Sequence, residues 1–138
     1  MKYKVFDREI VVILETGDNI HQAVSEICKI EKIGMGTVTG FGGVQSLKFG
    51  IWNNDTNQYD YMERKDCNME LLNLTGNVSW LNGEPNIHIH VTAADNHGQV
   101  FGGHLVNGVV QNLIELYIYP GSGHIDRKPY KSWYFMDI

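Results

Sequence analysis

The sequence predicts an α+β domain with a largely antiparallel sheet, because one amphipathic helical segment is followed by about eight short strand-like runs with turn residues between them. At 138 residues, with 43% apolar and 20% charged, the chain fits a single globular domain around one core. No internal repeat, low-complexity tract or linker divides it, so residues 1–138 are read as one unit.

Lys4 to Glu15 is rich in β-branched residues and reads as the first strand, ended by Gly17. From Asn19 to Lys32 the residues Ile20, Ala23, Val24, Ile27 and Ile30 recur at helical spacing, with Asp18 as N-cap and Gly34 as stop. Such a helix packs one apolar face on a sheet. The runs that follow read as strands: Met35 to Thr39, Val44 to Trp52, Gln58 to Glu63, Glu70 to Trp80, Ile87 to Asp95, Gln99 to Val106, Val109 to Tyr119 and Ser132 to Phe135. Between them Phe41-Gly42-Gly43, Asn53-Asn54-Asp55, Asn82-Gly83-Glu84-Pro85 and Asn96-His97-Gly98 read as turns. The glycines from Gly34 to Gly40 have the spacing GxGxxxG and follow a helix, whereas a dinucleotide loop follows a strand and opens a helix. They are read as a helix stop and a tight start to a strand.

Three function classes are narrowed by composition. The apolar run Ile10 to Leu14 is too short for a signal-peptide core or a membrane span, which places the protein in the cytoplasm. Cys28 and Cys67 form no CxxC and are read as reduced packing thiols. With 11 basic against 16 acidic residues the net charge is −5, so there is no global attraction to nucleic acid. The best local basic patch, Arg127, Lys128 and Lys131, falls in a segment read as a solvated loop.

The chemistry concentrates between Asn86 and Leu105. Ile87, Ile89, Val91 and Ala93 alternate with His88, His90, Thr92 and Ala94, so one strand face is apolar and the other carries both imidazoles, about 6.5 Å apart at Cα. A three-residue loop, Asn96-His97-Gly98, with Gly98 left-handed, pairs Asp95 with Gln99, and residue numbers across the ladder then sum to 194. That register sets His90 opposite His104, with His88 diagonal, and pairs Ile89 with Leu105, Val91 with Gly103 and Ala93 with Phe101. A two-residue turn would put His104 on the apolar face, so turn chemistry and packing agree.

Three neutral imidazoles converging on one point suit zinc, or nickel, cobalt or iron, whereas calcium and magnesium prefer oxygen donors. Three protein ligands leave a position open to water or a small anionic ligand. Gly102 and Gly103 are read as clearing space beside the ion. His21 and His97 are read as solvated, and His124 is left undecided.

Several blocks resemble the PPC domain, the plants-and-prokaryotes-conserved family that plant AT-hook proteins carry. These are the glycine-rich Gly34 to Gly43, Leu74-Thr75-Gly76-Asn77-Val78-Ser79, Pro85 to His90, and Gly98-Gln99-Val100-Phe101-Gly102-Gly103-His104-Leu105. The last two are the specific ones. The resemblance implies an α+β fold assembled as a homotrimer and, for stand-alone prokaryotic members, a histidine-ligated metal at His88, His90 and His104. It also carries the label of predicted DNA binding, but this chain has no AT-hook.

Three functions follow as alternatives. The first is a metal-dependent ligand-binding or regulatory module, with Tyr117 and Tyr119 as further ligand-binding candidates. The second is a metal-dependent hydrolase or lyase, which would need a carboxylate close to the metal, from Glu70, Glu84, Asp95 or Glu115. The third is DNA binding through Arg127, Lys128 and Lys131.

Overall fold

The computed structural model describes residues 1–131 and 133–138, leaving aside the side chains of residues 66 and 67. Eight strands and one helix follow the order β1 (Lys2–Val5), β2 (Ile10–Glu15), α1 (Ile20–Ile30), β3 (Gly36–Asn53), β4 (Gln58–Leu81), β5 (Glu84–Asp95), β6 (Val100–Pro120), β7 (Arg127–Tyr130) and β8 (Trp133–Met136). The α+β, mainly antiparallel expectation is met. The main sheet runs β1-β2-β6-β3-β4-β5, and β5 also pairs with β6, so β3, β4, β5 and β6 close into a ring. Its interior holds the core, including Phe49, Leu47, Leu74, Ile89, Leu105 and Ile114.

The elements differ from the sequence reading in three physical respects. The first expected strand is a hairpin, because the polar run Asp7-Arg8-Glu9 turns the chain and Phe6 N–H donates to the Glu9 carbonyl at 2.8 Å. The short central runs fuse in pairs. Phe41-Gly42-Gly43 is no turn but a bulged stretch inside β3, where Gly42 has φ +139 and an added Cβ would lie 2.3 Å from the Leu113 carbonyl oxygen. The segment expected as a solvated loop, 124–131, contains β7, paired antiparallel with β8. Of the last expected strand, Ser132 lies outside the described residues, as does the side chain of Cys67.

In α1 the N-cap is Asn19 rather than Asp18: the Asn19 side chain accepts from Gln22 N–H at 3.1 Å. Asp18 instead accepts from Glu15 N–H at 2.8 Å and pairs with the N-terminal amine at 2.8 Å. Lys32, at φ +54, ends the helix with the left-handed turn expected of Gly34, and Ile33 N–H reaches back to Cys28 at 2.9 Å. The buried stripe is Ile20, Ala23, Val24, Ile27 and Cys28, while Ile30, the last helical residue, is 55% exposed. This stripe packs on β5 and β6 just beyond the point where those strands part. There Asn19 bridges to Val109, and Ile20 fills the space over Gly108.

Candidate metal centre

The β5–β6 ladder has the register expected: His90 faces His104, Val91 faces Gly103, Thr92 faces Gly102 and Ala93 faces Phe101. Gly98, at φ +78, takes the left-handed position, and Asp95 fastens the turn by accepting from His97 and Gln99 N–H at 2.9 and 3.0 Å. The ladder ends at His90 and His104. Past that point β6 continues along β3, where Gly50 faces His104 and Phe49 faces Leu105, so the expected Ile89–Leu105 pair is replaced by contact inside the core.

On the outward face the three imidazoles converge. Ring centroids are 5.1 Å apart for His88 and His90, 4.9 Å for His88 and His104 and 5.6 Å for His90 and His104. One nitrogen from each ring lies within 4.8 Å of one from each of the others, spacing suited to a shared transition-metal ion. His104 Nδ1 is buried with no hydrogen-bond partner among the described residues, an uncommon condition for a ring nitrogen unless something else satisfies it. Burial, with smaller repulsion from His104 and Arg127, pushes His88 down from 6.5 to about 4. Burial also lowers His104, helped by His90 and Arg127. Both rings are therefore neutral near pH 7, the form that ligates metal.

Gly102 and Gly103 line a cavity with His90 and Thr75, and they have a second role beyond the one expected. A Cβ on Gly102 would lie 2.0 Å from the Val91 carbonyl oxygen, and one on Gly103, at φ +154, would lie 2.6 Å from that of Gly50. They let β6 cross closely between β5 and β3, which is what holds His104 in register.

Neighbours that sequence spacing could not supply complete the surroundings. His21, expected in solvent, has a buried Nδ1 with no partner among the described residues. Its pKa falls to about 4 by burial, with repulsion from His104, while the Ile87 backbone works the other way. It reaches this position because α1 occupies the space where β5 and β6 separate. Tyr59 stacks on His104 at 5.1 Å, Trp52 meets Tyr59 edge-on at 5.2 Å, and Trp133 of β8 meets Trp52 at 4.7 Å.

Arg127 of β7 is not a free cation on a loop. Its Nε donates to Ser79 Oγ at 2.7 Å, one terminal nitrogen to Asn77 Oδ1 at 3.0 Å and the other to the Tyr134 carbonyl at 3.0 Å. Asn77 is the cross-strand partner of His88, so these contacts seat the guanidinium beside the histidines. Lys128 pairs with Asp137, and the Lys131 ammonium sits 5.5 Å over the Tyr130 ring.

Other expected site residues stand apart. Tyr117 and Tyr119 stack on each other at 6.4 Å. They share the outward face, but the row Tyr119, Thr37, Asn77, His88 puts three strand spacings, roughly 14 Å, between Tyr119 and the cluster. Among the described residues no carboxylate joins the histidines. Asp95 fastens its turn, Glu84 pairs with Lys29, Glu70 faces Ala94 across from β5, and Glu115 faces Ile13 and Phe41. His124 contacts Asp126 at 3.2 Å and lies against Trp80. Among the described residues no helix is long and apolar enough to cross a membrane.

Residues 1–120 match the Plants and Prokaryotes Conserved (PCC) domain. No curated protein sequence matches the chain. Among solved structures, a candidate DNA-binding protein from Bacteroides thetaiotaomicron superposes with a TM-score of 0.92 at 26% identity, over 99% of this chain and 96% of that one. A plant- and prokaryote-conserved protein from Pyrococcus horikoshii does so at 0.82 and 31% identity, over 94% and 90%. A metal-containing protein from Archaeoglobus fulgidus does so at 0.82 and 28%, over 93% of each chain. With the match running over residues 1–120 of 138, the chain belongs to the Plants and Prokaryotes Conserved domain family.

Proposed function

We propose that His88, His90 and His104 hold a divalent transition metal, zinc foremost, and that the protein is a ligand-binding or regulatory module whose open coordination position takes a small anion. The observation that carries this reading is the convergence of three ring nitrogens within 4.8 Å, the one such cluster of three or more histidine, cysteine or carboxylate groups among the described residues. The unpartnered His104 Nδ1 fits a donor set awaiting a ligand, and the depressed His88 and His104 fit imidazoles kept neutral. The metal-containing relative from Archaeoglobus fulgidus supports the same reading. When bound, such an ion supplies a Lewis-acid position for an oxygen donor.

Elemental analysis of protein purified without a histidine tag tests it. The expected content is about one transition-metal ion per chain, falling near zero in His90→Ala, an exposed position whose loss leaves the core intact. Metal-free wild-type protein after growth in zinc would overturn the proposal.

The homotrimer belongs to the same proposal. It is supported by exposed apolar side chains on β3 and β6, Phe41, Leu113 and Tyr119, which a neighbouring copy would cover. Light scattering on the eluted protein gives the mass. DNA binding has the names of two relatives behind it. Against it stand the net charge of −5 and the engagement of Arg127, Lys128 and Lys131 within the C-terminal hairpin. Duplex DNA titrated at two salt concentrations is expected to show no salt-dependent binding.

A further inference from the structure

Residues 121–138 lie beyond the segment that matches the family, yet they build one side of the candidate centre. The approach to β4 is fixed by Trp80 N–H donating to the Ile125 carbonyl at 2.8 Å and by a bridge between Trp80 and Asp126. From there β7 and β8 fold over the outward face, so that Arg127 reaches Asn77 and Ser79 while Trp133 reaches Trp52.

Arg127 is costly to place there. It is only partly exposed, and among the described residues no acidic side chain is hydrogen-bonded to it; its partners are a hydroxyl, an amide oxygen and a backbone carbonyl. Lys128 of the same hairpin, by contrast, meets the carboxylate of Asp137. A guanidinium has five N–H donors, three of which are taken here, leaving two and a full positive charge without a counterion among the described residues. Its held position also means that little side-chain entropy remains to be lost on meeting a ligand.

We propose that Arg127 is the anion-recognition residue of the three-histidine centre. It would select a ligand bearing a carboxylate, one oxygen of which takes the open metal position while the other accepts from the free guanidinium donors. The edge-to-face series Trp133, Trp52 and Tyr59, the last stacked on His104, then forms the aromatic wall against which the rest of the ligand lies. The anion committed to is a carboxylate, whose planar pair of oxygens suits a guanidinium with one N–H left free on each terminal nitrogen. The inference rests on the metal reading above and adds to it the charge and source of selectivity.

The test uses full-length protein loaded with Co²⁺, since zinc is d¹⁰ and spectroscopically silent. The cobalt visible spectrum is followed at constant ionic strength during titration with acetate, with inorganic phosphate, and with imidazole as a neutral metal ligand. Wild-type protein is expected to bind acetate more tightly than phosphate. Arg127→Gln is expected to keep full cobalt content and unchanged imidazole affinity while weakening acetate about ten- to a hundredfold, the size of one charge-assisted hydrogen-bonded contact. Arg127→Lys, which keeps the charge and the hairpin, is expected to lose less than Arg127→Gln, and serves if the glutamine variant does not fold. Equal effects on acetate and imidazole, no effect on acetate in either variant, or tighter phosphate than acetate binding would overturn the assignment. Failure of wild-type protein to take up cobalt would instead overturn the metal reading itself.

Discussion

Two hairpins meet at the candidate centre, and they hold their functional side chains by different means. The β5–β6 hairpin places His90 and His104 by ladder register alone, with the turn fastened by Asp95 and left-handed Gly98. The β7–β8 hairpin is four residues per strand and belongs to a separate two-stranded sheet. It is held to the domain by the Trp80–Asp126 bridge, by Arg127 on Asn77 and Ser79, and by Trp133 on Trp52. Strand register is steep, since a slip of one residue reverses every side chain, so it suits ligands that must converge on one atom. Side-chain docking is shallower and separable, so it suits a group that sets selectivity. The first hairpin therefore cannot change without losing the centre, and the second can.

The sharpest way to break that contrast is Gly102→Ala. The new Cβ would lie 2.0 Å from the Val91 carbonyl oxygen, so strands must separate beside His104. A loss of about 3 kcal/mol in urea unfolding is expected, at the upper end of overpacking costs, together with loss of bound metal. An alanine variant as stable as wild type would show that the crossing of β6 is not what fixes the register. Removal of the metal comes next. At free metal a hundredfold above its dissociation constant, chelation should cost about 2.7 kcal/mol of stability. His90→Ala protein should show no such change on chelation, measured by the same unfolding curves.

The same contrast explains what could be read from the sequence. The fold class, the helix and the β5–β6 register were legible because each is written in neighbouring residues: alternation at Ile87 to Ala94, a three-residue turn ending in Gly98, and a helical stripe from Ile20 to Ile27. Phe41-Gly42-Gly43 misled because a bulge and a turn use the same glycines. Only the partner strand tells them apart, since its Leu113 carbonyl oxygen would lie 2.3 Å from a Cβ at Gly42. His21 and Arg127 were illegible for a deeper reason. His21 sits at the centre because β5 and β6 part there to admit α1, and Arg127 because the C-terminus returns to β4, 48 and 50 positions back in the chain at Ser79 and Asn77. No local pattern encodes a contact of that range.

Trp133→Ala isolates the second hairpin. It removes the edge-on contact with Trp52 at 4.7 Å, where the ring is 40% exposed, so a global loss of about 1 kcal/mol is expected. Amide exchange should accelerate across β7 and β8 and stay unchanged across β5 and β6, with metal content intact. Faster exchange in both hairpins would mean that they form one cooperative unit.

The smallest effect expected is a pH dependence confined to the first hairpin and the helix beside it. In the metal-free protein His88 and His21 are both pushed from 6.5 to about 4 by burial, and His104 is lowered for the same reason. The unfolded chain takes up protons near the ordinary histidine value, while these rings resist until the pH is much lower. The stability due to them is therefore present above about pH 6.5, declines as the pH falls toward about 4, and changes little below that. Allowing for solvent screening at partly exposed rings, the drop for His88 is on the order of 1 kcal/mol. Urea midpoints at pH 7.5, 5.5 and 4.5 in the presence of chelator measure it. His88→Phe should flatten part of that slope, whereas Trp133→Ala should leave it as steep as in wild type, because Trp133 meets the Trp52 ring and leaves Arg127 in place beside His88. A slope that flattens equally in both variants would place the two hairpins in a single titrating unit and remove the distinction between them.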